Sequence, residues 1–410
     1  MARSALAFVV VPVVVVPVLV GGGAVAQPAA LPDQQPVAAQ PPTPDLVMPA
    51  TDALAAPTPE SPASPASASP APADGPAPRW FERVTIGALV DGYVAAPLTG
   101  AVDAPSRLRV FDAANATFAL AYAELTLALP AEPAGLRVDL GFGPVADLAS
   151  LETVTTGTPP MPVTGTSEVT KHVQQAYASW KLPTATAIVV DAGKFVTSAG
   201  AEVIEAKDDW LYTRSLLFGY AIPFTHTGVR ATATVTDTLA VQGLVANGWD
   251  VGLDNNRAKT FGASALYADA AAGRSATATV IVGKEAERVR VLADLVLGLT
   301  VGAVALNANV DVGKEGDAAW YGAALMARYA VSPRLRLSGR VEHFRDPDGA
   351  RTAIVDGVAV TEATLGAAVP VGGNGELRLE GRVDHADADI YDADTASTHA
   401  TVTAAALAWF

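Results

Sequence analysis

The chain has 410 residues, of which 50% are hydrophobic and only 17% charged, with 35 Gly, 30 Pro and no Cys. The missing cysteines exclude a disulfide scaffold, a thiolate metal site and a cysteine nucleophile. A formal charge of -15 lacks the basic footprint that displaces counterions from phosphate, so no nucleic acid is expected as a partner.

The N-terminus reads as an export signal over residues 1–26. Met1 to Arg3 is a short basic start, Ala5 to Val20 an apolar core, and Ala24-Val25-Ala26 the small-x-small pattern of a cleavage site. Residues 27–78 shift to Pro, Ala and Ser, as in Pro57-Thr58-Pro59 and Ser69-Pro70-Ala71-Pro72. So few large apolar side chains cannot offset the entropy of ordering, which predicts a disordered or semi-rigid spacer. Beyond residue 25 no apolar run approaches the ~20 residues that cross a bilayer as a helix.

From Arg79 to Phe410 the period of the pattern becomes two. Leu335, Leu337, Gly339 and Val341 alternate with Arg334, Arg336, Ser338, Arg340 and Glu342; Leu377 to Asp384 repeats the alternation. The fold class predicted is all-β: a transmembrane antiparallel barrel of about 16 strands with apolar faces to lipid and charged faces to a wet lumen. The expected strands are 84–94, 116–129, 135–144, 171–181, 186–196, 227–236, 239–248 and 257–268, then 275–284, 287–297, 300–312, 317–330, 333–344, 361–370, 375–385 and 396–410. Connections after even strands are short, whereas 95–115, 145–170, 197–226 and 345–360 are long. Short turns on one side and long loops on the other fit a barrel with both termini in the periplasm. Trp180, Tyr267, Trp320, Tyr321, Tyr329, Trp409 and Phe410 are expected near strand ends as interfacial girdles.

Several blocks resemble the OmpL-like β-barrel porin family. They are Gly193-Lys194-Phe195-Val196-Thr197, Pro223-Phe224-Thr225-His226-Thr227-Gly228-Val229-Arg230, Val245-Ala246-Asn247-Gly248-Trp249-Asp250, Arg340 to Gly349 and Leu379 to Asp384. The resemblance implies a Gram-negative outer-membrane pore for small hydrophilic solutes and, from its size, a homotrimer. The terminal Phe410 resembles the signal read by the barrel-assembly machinery. Outer-membrane lipid is then the surrounding partner, and no cofactor or metal is expected.

The site residues predicted are of two kinds. Arg137, Arg230, Arg290, Arg328, Arg340 and Arg382 fall on the polar register of their strands and are expected to line the lumen. Glu202, Glu205, Asp208 and Asp209 cluster in the third external connection, long enough to fold inward as a pore constriction. Acids facing arginines across a narrow pore would create a transverse field that discriminates solutes by charge. Rival readings are a non-conducting binding or wall-tethering barrel and a hydrolase using Ser215 or Ser264 with His226. No spacing of the five histidines fits a metal site, and Asp254-Asn255-Asn256 lacks the remainder of a calcium loop.

Overall fold

The computed structural model describes residues 79–100, 104–149, 153–156, 163–166, 170–254, 256–285 and 287–410. The expected export signal over 1–26 and the Pro/Ala-rich segment over 27–78 lie outside them.

The strands are β1 (Thr85–Pro97), β2 (Phe118–Leu129), β3 (Ala134–Phe142), β4 (Thr153–Thr156), β5 (Val163–Thr166), β6 (Val173–Leu182), β7 (Ala187–Val196), β8 (Thr225–Thr236) and β9 (Leu239–Ala246). They continue as β10 (Thr260–Asp269), β11 (Arg274–Glu285), β12 (Arg288–Val301), β13 (Val304–Glu315), β14 (Ala318–Ser332), β15 (Leu335–Asp346), β16 (Val358–Pro370), β17 (Gly375–Ala386) and β18 (Thr398–Trp409). All except β4 and β5 join one closed antiparallel barrel of 16 strands, sealed where β18 pairs with β1. Closure removes the free edges that lipid cannot solvate. The pair β4 and β5 forms a separate ribbon after helix α1 (Pro144–Ala149), in a connection that the sequence pattern marked only as a long loop.

Alternation places two different faces on each strand. On β17 Glu376, Arg378, Glu380, Arg382 and Asp384 are buried, while Leu377, Leu379 and Val383 are exposed on the outer face. A soluble barrel would reverse this; an outward apolar band suits hydrocarbon. The tight turns use glycine where the backbone enters the left-handed region, as at Gly302 and Gly316, both with φ +60°.

Two of the expected girdle aromatics are placed differently. Trp320 is on the inward register of β14, fully buried, its ring edge-on to Trp249 at 6.1 Å. Trp409 packs partly buried against the interior cluster. Trp180, Tyr267, Tyr329 and Phe410 are exposed on the outer face near the short-turn rim. Phe118, Phe142, Phe261 and Tyr321 stand exposed near the long-loop rim.

A candidate pore constriction

The connection from β7 to β8, residues 197–224, turns into the barrel. Ile204, Leu211, Leu216, Leu217, Phe218, Ile222 and Phe224 in it are each at most 2% exposed. The connection after β1 meets it from above, with Phe111 5.7 Å from both the Phe218 and Phe224 rings. Gly219 permits this approach, because a Cβ there would lie 2.3 Å from a Val110 methyl.

An irregular segment inside a barrel leaves many backbone groups without a ladder, and the wall supplies their partners. Glu380 on β17 accepts the N–H groups of Tyr212 and Thr213, the latter at 3.0 Å. Glu342 on β15 accepts those of Leu216 and Leu217, at 2.5 and 3.3 Å. Asp250 accepts Phe224 N–H at 2.7 Å, and Trp320 Nε1 donates to the Ala221 carbonyl at 2.9 Å. Arg382 Nη1 donates to the Arg214 carbonyl at 2.5 Å, and Arg340 Nη1 to that of Thr213 at 2.8 Å. At the root of the loop Ser198 Oγ meets Ser264 Oγ on β10 at 2.7 Å, and Thr279 on β11 donates to the Ser198 carbonyl at 3.1 Å.

Three of the four loop acids face protein. Glu202 pairs with Arg340 at 2.7 Å and accepts Ser215 N–H at 2.9 Å. Glu205 accepts from Gln174 Nε2 at 3.3 Å; burial, aided by the Asp139 and Asp208 charges, holds its carboxyl above the ordinary range. Asp209 accepts Val203 N–H at 2.9 Å and faces Arg214 Nε at 2.8 Å. Asp208 differs, its side chain half exposed beside Lys207.

All six expected arginines are inward. Arg340 lies between Glu202 and Glu362, the latter at 2.6 Å, and Arg382 between Asp384 at 2.6 Å and Glu362 at 3.4 Å. Arg137 pairs with Asp139 at 2.7 Å, and Arg230 with Asp191 at 2.8 Å beneath the Phe195 ring. Arg290 pairs with Glu315 at 2.7 Å and caps Trp249. Arg328 sits over the Trp210 ring of the loop, 5.0 Å from its centre.

Further residues complete this wall. Arg336 and Arg378 share Glu376, Arg378 through a 2.5 Å contact, and Ala368 lies between the two arginines in register across β16. The sequence carries a signal for the acids that serve these bases. Arg137-x-Asp139, Glu376-x-Arg378 and Arg382-x-Asp384 each place base and acid on one strand face, two residues apart, and each forms the ion pair.

The hydrolase reading finds no support in this geometry. His226 Nδ1 lies 3.1 Å from the Gly248 carbonyl, while Ser264 contacts Ser198 and Thr279, and Ser215 Oγ accepts Phe218 N–H. The Asp254 carboxylate accepts the N–H groups of Asn256 and Arg257, forming a turn.

Residues 83–410 match the family described as "Putative beta-barrel porin-2, OmpL-like". No protein of curated function matches in sequence. Among solved structures the chain is similar to the trimer form of Vibrio cholerae OmpT, an outer-membrane protein, at 9% identity over 80% of this chain and 99% of that one, TM-score 0.52. It is also similar to the outer-membrane channel DcaP of Acinetobacter baumannii, at 12% identity over 80% and 97%, TM-score 0.50. An anion-selective porin from Comamonas acidovorans aligns at 11% identity over 80% and 99%, TM-score 0.50.

Proposed function

Because the chain belongs to the OmpL-like β-barrel porins and is thus an outer-membrane porin, we propose that residues 197–224 form its constriction and that small hydrophilic anions pass it most readily. The observation that carries this reading is the uneven exposure of charge inside the barrel. Arg137 and Arg336 keep 22% and 34% side-chain exposure, and Arg328, also half-buried, points inward over Trp210. Asp139, Glu376 and Glu380 on the same wall are each at most 4% exposed. A solute in the short-turn half therefore meets cations first, and their field raises the local concentration of anions. Glu202, Glu205, Asp208 and Asp209 form the loop side of the constriction, with Asp208 presenting its charge to water and the other three holding the loop in place.

Three copies packed by their apolar bands are the assembly this reading favours. A second reading, a non-conducting barrel, draws on the depth to which residues 197–224 and the connection after β1 fill the long-loop half. Planar-bilayer recording separates the two. A pore gives discrete conductance steps and a reversal potential on the anion-selective side under a salt gradient. Arg328→Gln with Arg336→Gln should move that potential toward zero by several millivolts. Silent bilayers from well-folded protein would establish the non-conducting reading.

A further inference from the structure

Four inward side chains stand at one height on neighbouring strands. In register they are Ser264 on β10, Thr279 on β11, Asp294 on β12 and Asp311 on β13. All are oxygen donors, and the loop root adds Ser198 through its hydroxyl and carbonyl contacts to Ser264 and Thr279. The two aspartates are 3% and 0% exposed and oppose each other directly. Asn309 Nδ2 donates to Asp294 Oδ2 at 2.8 Å, and the Gly200 backbone of the loop root lies near the same carboxylate. Asp294 Oδ1 and both oxygens of Asp311 are buried without a donor.

Several other buried acids of this lumen are matched, Glu202, Glu362 and Asp384 by arginines and Glu342 and Glu380 by pairs of backbone N–H groups. Among the described residues neither Asp294 nor Asp311 forms an ion pair with a Lys or Arg, and the other charge that bears on Asp311 is an acid, Glu342, already occupied by Leu216 and Leu217. Two adjacent carboxylates buried without a counter-charge carry a large desolvation penalty. Three orphaned carboxylate oxygens on facing residues, with the hydroxyls of Thr279 and Ser264 next in the same row, suit a hard cation, which takes carboxylate, hydroxyl, carbonyl and water oxygens in flexible geometry. We propose that Asp294 and Asp311 hold a divalent cation of the calcium type between β12 and β13. The ion neutralises the pair directly under Gly200 and so fixes the loop root.

Full-length protein folded in detergent and stripped with EDTA should bind calcium chloride in isothermal titration at about one ion per chain. Calcium should also raise its unfolding temperature, as any ligand selective for the native state does. Asp311→Asn should weaken binding at least tenfold and abolish the thermal shift while circular dichroism still reports a barrel. Asp294→Asn serves as the second variant should the first not fold. Absence of saturable calcium binding by the stripped wild type would overturn the proposal and assign the pair a shared proton. Undiminished binding in a folded Asp311→Asn variant would overturn it equally.

Discussion

Single arginines in this lumen differ in what depends on them. Arg340 is buried and serves Glu202 and Glu362, which are themselves buried. Its removal leaves Glu202 without a counter-charge and Glu362 with Arg382 alone at 3.4 Å, a loss of about 3–5 kcal/mol for breaking a buried pair. Arg137 keeps 22% side-chain exposure, so water can take over part of its role toward Asp139. Arg340→Ala should therefore lower the denaturation midpoint in micelles much further than Arg137→Ala. Equal shifts would show that depth of burial does not rank these pairs. At this scale the sequence was informative about direction, since the period of two put every chosen arginine on the inward face. It was silent about partners, because Glu202 and Arg340 lie 138 residues apart and only the closed barrel brings them together.

The loop of residues 197–224 illustrates what pattern reading finds and what it misses. Its length and acids marked it as a segment able to enter the barrel. The run Leu216-Leu217-Phe218-Gly219-Tyr220-Ala221-Ile222 was the stronger signal, since a connection left in water has no use for so many apolar side chains. The wall acids Glu342 and Glu380 anchor this element through backbone N–H groups. Replacing either by Ala leaves two buried donors unsatisfied, at about 1–3 kcal/mol each. Glu380→Ala should destabilise the protein by that order and raise single-channel conductance as the loop loosens; a variant with unaltered conductance and stability would remove Glu380 from the anchoring role. Glu205 supplies a pH dependence. Its folded-state pKa is raised by burial, so the native loop favours the protonated acid. The resulting stabilisation is complete below the ordinary glutamate pKa of about 4.3 and fades as pH climbs through the raised value. Glu205→Gln, which cannot ionise, should flatten that decline in unfolding temperature between acidic and alkaline buffers. A mutant curve parallel to the wild type would place the dependence on another group.

For the whole molecule, strand number, alternation and the asymmetry of the two rims were all legible, because each is a local regularity repeated around the barrel. The girdle was legible in part. Trp320 sits near a strand end as an interfacial ring should, but its register points inward and its indole N–H serves the Ala221 carbonyl. Position along a strand predicts height in the membrane, whereas parity decides the face. The homotrimer proposed above predicts a native mass in mild detergent of three chains, and a single-chain mass across concentrations would count against it.

The tie between the loop and opposite parts of the wall has a mechanical side. Ser198 fastens one end to β10 and β11, while Glu342 and Glu380 grip the middle from β15 and β17. A tube whose wall is one strand thick flattens easily when squeezed from the side. A crossbar fixed at two separated points of the circumference stiffens it, as a spoke stiffens a rim. Cutting the Glu342 and Glu380 attachments should thus let the cross-section become oval under lateral membrane pressure, so that the shape of the opening, and not its width alone, varies with the bilayer around it.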